Sequence, residues 1–222
     1  MTIQTHMRRE INEIPEAAAR LLDLSGTELA AAGRSLRERD PAFLVTIARG
    51  SSDHAAHFIK YATELQAGRP VAPVWPSLAS IYGTRLRMET GAAIAISQSG
   101  KSPDIVSMAE TATKSGAVTI ALTNTLPSPM AEACTHALDI QAGPELAVAA
   151  TKSFVNSVVA GLALLSEWTD DNALRRAVAS LPEHFAKAVT LEWDELTLAL
   201  GSDIGSLYML GRGPALATAC EA

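Results

Sequence analysis

The chain has 222 residues, of which 48% are hydrophobic and 19% are charged, and this balance excludes an intrinsically disordered protein. Its formal net charge of −6 argues against nucleic-acid binding, which needs a basic face, but does not exclude a small anionic ligand. No apolar run reaches the roughly 18 residues of a membrane span, and the polar N-terminus does not resemble a secretory signal. The sequence therefore predicts a packed cytoplasmic protein whose partners include neither membrane nor nucleic acid.

Short apolar runs and amphipathic segments alternate along the chain. Residues 7–22 have the spacing of a helix. Predicted strands cover 43–48, 71–75, 92–97, 118–122 and 137–140. Predicted helices follow the first strand to about 67 and cover 102–115 and 151–168, with two more within 172–200. The alternation predicts an α/β fold, a three-layer αβα sandwich around a mainly parallel sheet of about five strands.

One pattern occurs twice. Residues 43–56 consist of a predicted strand, Ala48-Arg49-Gly50 and a helix, and residues 206–219 repeat this order around Gly211-Arg212-Gly213. An isolated strand and half a helix cannot bury their apolar faces alone. The sequence therefore predicts four regions: an N-terminal helical segment over 1–40, a first domain over 41–170, connecting helices over 171–201, and the truncated start of a second, similar domain over 202–222.

The helix predicted over 151–168 is apolar almost all round. An outer helix of a three-layer domain would keep a solvated stripe. We therefore expect its burial to need a further surface, either the second domain or another subunit of a homodimer.

Metal, redox and nucleotide motifs are weakly represented. Cys134 and Cys220 lack metal-ligand or redox spacing, which predicts small buried side chains in a reducing compartment. His54 and His57 have the spacing of a metal pair, but no third ligand is evident, so helix-surface or interface histidines are favoured. The run 211–216 lacks the third glycine of a dinucleotide fingerprint. Neither a metal nor an organic cofactor is predicted.

The richest polar segment follows the strand at 92–97. Ser97, Ser99 and Ser102 supply hydroxyl groups, and Gly100 lets the backbone bend so that amides can point inward. Ser102 followed by Pro103 is typical of an N-cap and the first helical residue. A helix N-terminus adds free N–H groups and a partial positive charge. The segment predicts a cradle for a small phosphorylated ligand, with an ordinary capped loop as the alternative.

Two further polar loops follow predicted strands, Gly50-Ser51-Ser52 and Thr123-Asn124-Thr125. Because parallel α/β sheets bind ligands at the carboxyl ends of their strands, we expect these loops at one ligand-binding edge. Glu145 follows the last strand. It is interpreted as an acid/base group, a loop-ordering carboxylate or a surface residue, and the sequence alone leaves these alternatives open.

Three motifs in this order resemble the sugar isomerase (SIS) domain family. They are Arg49-Gly50-Ser51-Ser52, the run from Ser97 to Asp104, and the run from Gly143 to Phe154. The likeness extends from Glu10 onward. It is greatest to the isomerase half of glucosamine-6-phosphate synthase, a glutamine–fructose-6-phosphate aminotransferase, and to stand-alone amino-sugar phosphate deaminases and isomerases. Members carry two SIS domains in tandem, which fits the repeat.

The resemblance implies a set of substrate-binding residues. Ser97, Ser99 and Ser102 would hold the sugar phosphate with help from Gln98 and the Gly100 loop amides, Ser51 and Ser52 would contact the sugar, and Val148 would lie near it through its backbone. Lys101 replaces an acidic residue that is frequent in the family. It would add positive charge near the phosphate or change the substrate preference.

The resemblance also implies an activity. It is aldose–ketose isomerisation of fructose 6-phosphate and glucosamine 6-phosphate, with amino transfer or deamination at C2, in a homodimer without a cofactor. The family's catalytic glutamate, histidine and lysine are expected after Ala222, and Glu221 matches only a neighbouring glutamate. No catalytic residue is therefore predicted within the chain, which is expected to be inactive as given. The alternative is a non-catalytic sugar-phosphate sensor or regulatory SIS module.

Overall fold

The computed structural model describes residues 5–194, 200–201 and 205–222. Residues 195–199 of the predicted connecting helices and 202–204 of the predicted second domain lie outside the described residues.

A parallel sheet of five strands forms the centre of the described chain, in the order β2-β1-β3-β4-β5. The strands are β1 (Phe43–Ile47), β2 (Val71–Pro73), β3 (Gly91–Ile96), β4 (Val118–Thr123) and β5 (His136–Asp139). Their side chains alternate between two apolar cores, because successive residues of a strand point to opposite faces. Leu44 and Ile94 enter one core, whereas Val45 and Ala93 enter the other.

Helices cover both faces of the sheet, which confirms the predicted three-layer sandwich. They are α1 (His6–Asn12), α2 (Ile14–Leu24), α3 (Gly26–Arg39), α4 (Ser51–Gln66), α5 (Ser77–Ser80), α6 (Pro103–Lys114), α7 (Pro129–Ala133), α8 (Lys152–Thr169), α9 (Asn172–Ala179), α10 (Leu181–Ala188) and α11 (Ala215–Glu221). Side chains of α2, α3, α4 and α8 fill the core on the Leu44 face. Those of α6 and α7 fill the core on the Val45 face.

The surroundings of α8 correct one prediction. No residue of α8 is exposed, yet its cover comes from the same chain, since α2, α3, α4 and α9 all pack against it. Gly33 of α3 allows the close approach, because a Cβ there would overlap Glu167. The expectation that a second domain or subunit must bury this helix is therefore wrong. The homodimer stays a prediction that rests on the family resemblance.

The C-terminal repeat forms only in part. Its helix is present as α11, which packs on α4 and places Glu221 Oε2 2.8 Å from His54 Nδ1. Its predicted strand is wrong, since residues 205–212 form neither strand nor helix. A strand needs a hydrogen-bonded neighbour, and this segment pairs with no strand of the sheet. The apolar side chains from Leu207 to Leu210 are consequently exposed.

The two cysteines differ. Cys134 is half-buried, and desolvation raises the pKa of its thiol to about 12, so it is an unreactive side chain. Cys220 is exposed on α11, so its predicted burial is wrong. Within the described ranges, no helix is both long enough and apolar enough to cross a bilayer.

Candidate functional site

Two adjoining cavities lie at the carboxyl edge of the sheet. β1 and β3 are neighbours, so the loops that follow them lie side by side. The first cavity has a volume of about 240 Å³ and extends to the start of α8. The second has a volume of about 360 Å³ and is lined by the Ser97–Ser102 loop. We call them the α8 cavity and the serine-loop cavity. Arg49, Ser52 and Gln98 line both, so the two cavities share a wall.

The serine-loop cavity brings together the three hydroxyl groups predicted to hold the phosphate. Ser97, Ser99 and Ser102 all line it. Ser102 is the N-cap of α6 and Pro103 is its first residue, as predicted. The Ser102 side chain makes no capping hydrogen bond, which leaves its hydroxyl unused by the helix. The first-turn N–H groups of α6 also lack intrahelical partners, so this corner offers donors to an anion.

Gly100 shapes this loop but lines neither cavity. Its φ of +61° belongs to the left-handed region that favours glycine. Its N–H donates to Ser97 at 3.2 Å and its carbonyl accepts from Met130 N at 3.0 Å. A Cβ at this position would overlap Ser128 and lie 2.9 Å from Thr123 Oγ1. The Gly100 N–H is therefore engaged within the loop, and the contribution of the loop amides to ligand binding stays a prediction.

The third predicted loop supports the site without lining it. The backbone N–H of Asn124 donates to the Gln98 carbonyl at 3.0 Å, and the Thr123 hydroxyl donates to the same oxygen at 3.3 Å. The Asn124 side chain binds backbone groups of Ala142 and Gly143, both at 2.8 Å. The polar groups of Thr123 and Asn124 therefore hydrogen-bond the serine loop to the chain that follows β5, and they are not free to bind a ligand.

Ser51, Ser52 and Val148, the remaining predicted contacts, line the α8 cavity with Gln98. Ser51 and Ser52 form the first turn of α4, after Gly50 at a φ of +57°. Val148 lies in the loop before α8, and its side chain is fully exposed. Seven of the eight predicted residues thus line the two cavities, and Gly100 is the exception.

Glu145 orders the entrance to α8. One carboxylate oxygen accepts from Thr151 N at 3.0 Å, from Thr151 Oγ1 at 3.0 Å and from Ser153 N at 3.1 Å, and the other accepts from the Ser153 hydroxyl. An acidic group at a helix N-terminus satisfies free N–H groups and meets the positive end of the dipole. Of the three interpretations that the sequence leaves open, the structure supports the loop-ordering carboxylate.

A second carboxylate holds the same loop, and the sequence reasoning missed it. Glu10 of α1 is only 4% exposed, and it accepts hydrogen bonds from the backbone N–H groups of Leu146 and Ala147. The nearby Lys152 side chain, which is also buried, pairs with Glu13. The one available signal was Glu10 itself, an acidic residue at helical spacing from Ile14.

Replacing Glu10 with alanine is expected to loosen the loop that carries Val148. Two backbone N–H groups lose a charged acceptor, and hydrogen bonds to charged groups contribute about 1.5–3 kcal/mol. We expect a lower free energy of unfolding and faster hydrogen exchange at the Leu146 and Ala147 amides. The matched control is Glu16→Ala, since Glu16 is exposed on α2. Unchanged exchange at both amides would contradict this role for Glu10.

Arg49 is the cationic residue among those that line the two cavities in the described chain. Its Nε atom lies 3.2 Å from Asp104 Oδ2, in the first turn of α6. Lys101 is exposed and lines neither cavity. Arg49 thus places a positive charge at the wall of both cavities, and the effect of Lys101 on the phosphate or on substrate preference stays a prediction.

Comparison with known proteins identifies the family. The model of the SIS domain matches residues 39–167, more than half of the chain. The chain belongs to the SIS domain family. A curated relative, the isomerizing glutamine–fructose-6-phosphate aminotransferase of Halobacterium salinarum, is 37% identical over 194 residues. The match covers 80% of this chain and 32% of that protein, so the chain spans about a third of the length of such relatives.

Solved structures carry the same SIS fold. A protein from Silicibacter pomeroyi named as a candidate phosphosugar isomerase has 52% sequence identity and a TM-score of 0.95, and the match covers 98% of this chain and 66% of that one. The Vibrio vulnificus NanR protein complexed with ManNAc-6P has 19% identity and a TM-score of 0.58, with 79% of this chain and 67% of that chain covered. At that identity the likeness shows the fold alone.

Proposed function

We propose that the two cavities bind a phosphosugar, with its phosphate in the serine-loop cavity and its sugar in the α8 cavity. The observation that carries the proposal is the convergence of Ser97, Ser99, Ser102 and the N-terminus of α6 on one cavity. Hydroxyl groups and helix N-termini are strong partners for phosphate oxygens. Because the two cavities adjoin and share lining residues, a ligand anchored by its phosphate in one would extend toward Ser51 and Ser52 in the other.

The substrate class proposed is an amino or keto hexose 6-phosphate. The H. salinarum relative is named for a reaction on fructose 6-phosphate, and the V. vulnificus protein is complexed with an amino-sugar phosphate. The α8 cavity suits a polyhydroxylated ring, because serine hydroxyls and the Gln98 amide line it beside the ring of Phe154. Glucosamine 6-phosphate and fructose 6-phosphate are accordingly the ligands to test first.

The reaction proposed is aldose–ketose isomerisation, with loss or transfer of ammonia at C2. It moves a proton between C1 and C2, which requires a positioned carboxylate as general base. Glu145 is the carboxylate that lines the α8 cavity in the described chain, and its hydrogen bonds commit it to the start of α8. The described cavity residues would therefore anchor and orient the substrate, so that binding energy at the phosphate aligns the reacting carbons.

Titration calorimetry with glucosamine 6-phosphate and with glucosamine tests this proposal. We expect heat of binding for the phosphorylated sugar and much weaker binding for glucosamine, because only the former fills the serine-loop cavity. Equal affinity for the two would contradict it. An assay of the complete gene product for fructose 6-phosphate and ammonia then separates an isomerase from a sensor, since a sensor would bind without turnover.

A further inference from the structure

Arg49 begins the first of the three sequence motifs, but the family resemblance assigns it no role. It follows β1, and its side chain forms part of the wall between the two cavities. Its side chain is 59% exposed, so it is not buried by packing. The contact that orients it is the ion pair from Nε to Asp104, whose side chain is 23% exposed.

This ion pair uses a single edge of the guanidinium group. Arginine has five N–H donors in a rigid planar fork. Asp104 Oδ2 lies 3.2 Å from Nε in an ion pair, and Arg49 donates no hydrogen bond to any other side chain or carbonyl among the described residues. The two terminal amino groups therefore stay available beside the serine-loop cavity. A pair of parallel N–H donors fits two oxygens of a phosphate monoester.

Arg49 also neutralises the negative charge of Asp104, which would otherwise repel a phosphate. It lies two residues after Ser102, so a carboxylate stands next to the corner where we place the phosphate. The Asp104 carboxylate and a nearby phosphate are both negative and repel each other, and this repulsion would weaken the attraction of the α6 N-terminus for an anion. The Arg49 guanidinium neutralises the charge of Asp104 and still has free N–H groups that can donate to the phosphate.

We infer that Arg49 is a phosphate-binding residue that makes this site selective for a phosphate monoester over the unphosphorylated sugar. The inference rests on the proposed function. In this arrangement Asp104 is a positioning residue, which fixes the guanidinium plane so that the terminal amino groups face the ligand. Arg49 therefore acts by direct contact as well as by charge.

The experiment is calorimetry with glucosamine 6-phosphate and glucosamine on the wild type and on Arg49→Gln, Arg49→Lys and Lys101→Gln. Loss of a hydrogen bond to a charged group predicts a Kd for the phosphorylated sugar that is raised about tenfold to a hundredfold in Arg49→Gln. Arg49→Lys, which keeps the charge but loses the fork, should fall between that variant and the wild type. Lys101→Gln is the matched control and should stay within about twofold, because Lys101 lines neither cavity and its exposed charge is screened by solvent and salt.

A double variant, Arg49→Gln with Asp104→Asn, distinguishes direct contact of Arg49 with the phosphate from mere neutralisation of the Asp104 charge by Arg49. Direct contact predicts that the double variant recovers only part of the lost affinity. Full recovery would mean that Arg49 merely cancels Asp104, and would overturn the inference. Exposed ion pairs contribute little to stability, so the variants should unfold at nearly the wild-type temperature.

The result distinguishes the inference from the function on which it rests. If the wild type binds glucosamine 6-phosphate and Arg49→Gln binds it equally well, the inference fails and the proposed function stands. If the wild type does not bind the phosphorylated sugar, both fail. An equal loss of affinity for glucosamine in Arg49→Gln would also overturn the proposed selectivity.

Discussion

Replacing Gly100 with alanine is expected to produce the largest loss of stability of any single substitution in the serine loop. The residue adopts a φ of +61°, and a left-handed conformation costs an L-residue about 1–2 kcal/mol. The new Cβ would also overlap Ser128 and crowd Thr123, and overpacking of this kind costs about 1–3 kcal/mol more. We therefore expect the free energy of unfolding in urea to fall by about 2–5 kcal/mol.

Gly68 provides the matched control for the Gly100 substitution. It has a φ of +63°, but nothing lies within 4 Å of the position its Cβ would occupy. Gly68→Ala should therefore show the conformational cost without the packing cost. Equal destabilisation by the two substitutions would contradict the tight contact between the serine loop and Ser128.

Removing two serine hydroxyls is expected to produce the largest loss of affinity. In the variant with Ser99→Ala and Ser102→Ala, the phosphate would lose two hydrogen bonds, each contributing about 1.5–3 kcal/mol to a charged acceptor. The Kd for glucosamine 6-phosphate should rise by about two orders of magnitude or more. The fold should remain intact, since Ser102 makes no capping bond and the Ser99 hydroxyl accepts only a 3.3 Å bond from Lys101 N.

Ser115→Ala is the control for that double variant. Ser115 follows the last turn of α6, and its hydroxyl binds the carbonyl of Thr111. Calorimetry should show wild-type affinity for this control. An affinity of the double variant within about threefold of the wild type would place the phosphate elsewhere, because that ratio is less than one such hydrogen bond.

Local sequence patterns predicted the elements of the fold well. The apolar runs that became β1 and β3 have the length and composition of buried strands. The Ser102-Pro103 pair marked the start of α6 to the residue. Both features depend on neighbours along the chain, so composition and spacing are sufficient to find them.

The incorrect predictions concern contacts between distant parts of the chain. The segment 207–210 has the composition of a strand, but a strand also needs a partner that local sequence cannot supply. The cover of α8 comes from α2, α3, α4 and α9, and Glu10 reaches Leu146 across 136 positions. The contact of Arg49 with Asp104 likewise joins the loop after β1 to the first turn of α6. Tertiary structure alone brings such pairs together.

A crystal structure of the protein with bound glucosamine 6-phosphate would show directly where the phosphate binds. We expect the phosphate within hydrogen-bond distance of the Ser99 and Ser102 hydroxyls, and the sugar extending past Ser52 into the α8 cavity. A phosphate bound outside the serine-loop cavity, or a ligand with its sugar there and its phosphate in the α8 cavity, would contradict the proposed binding mode.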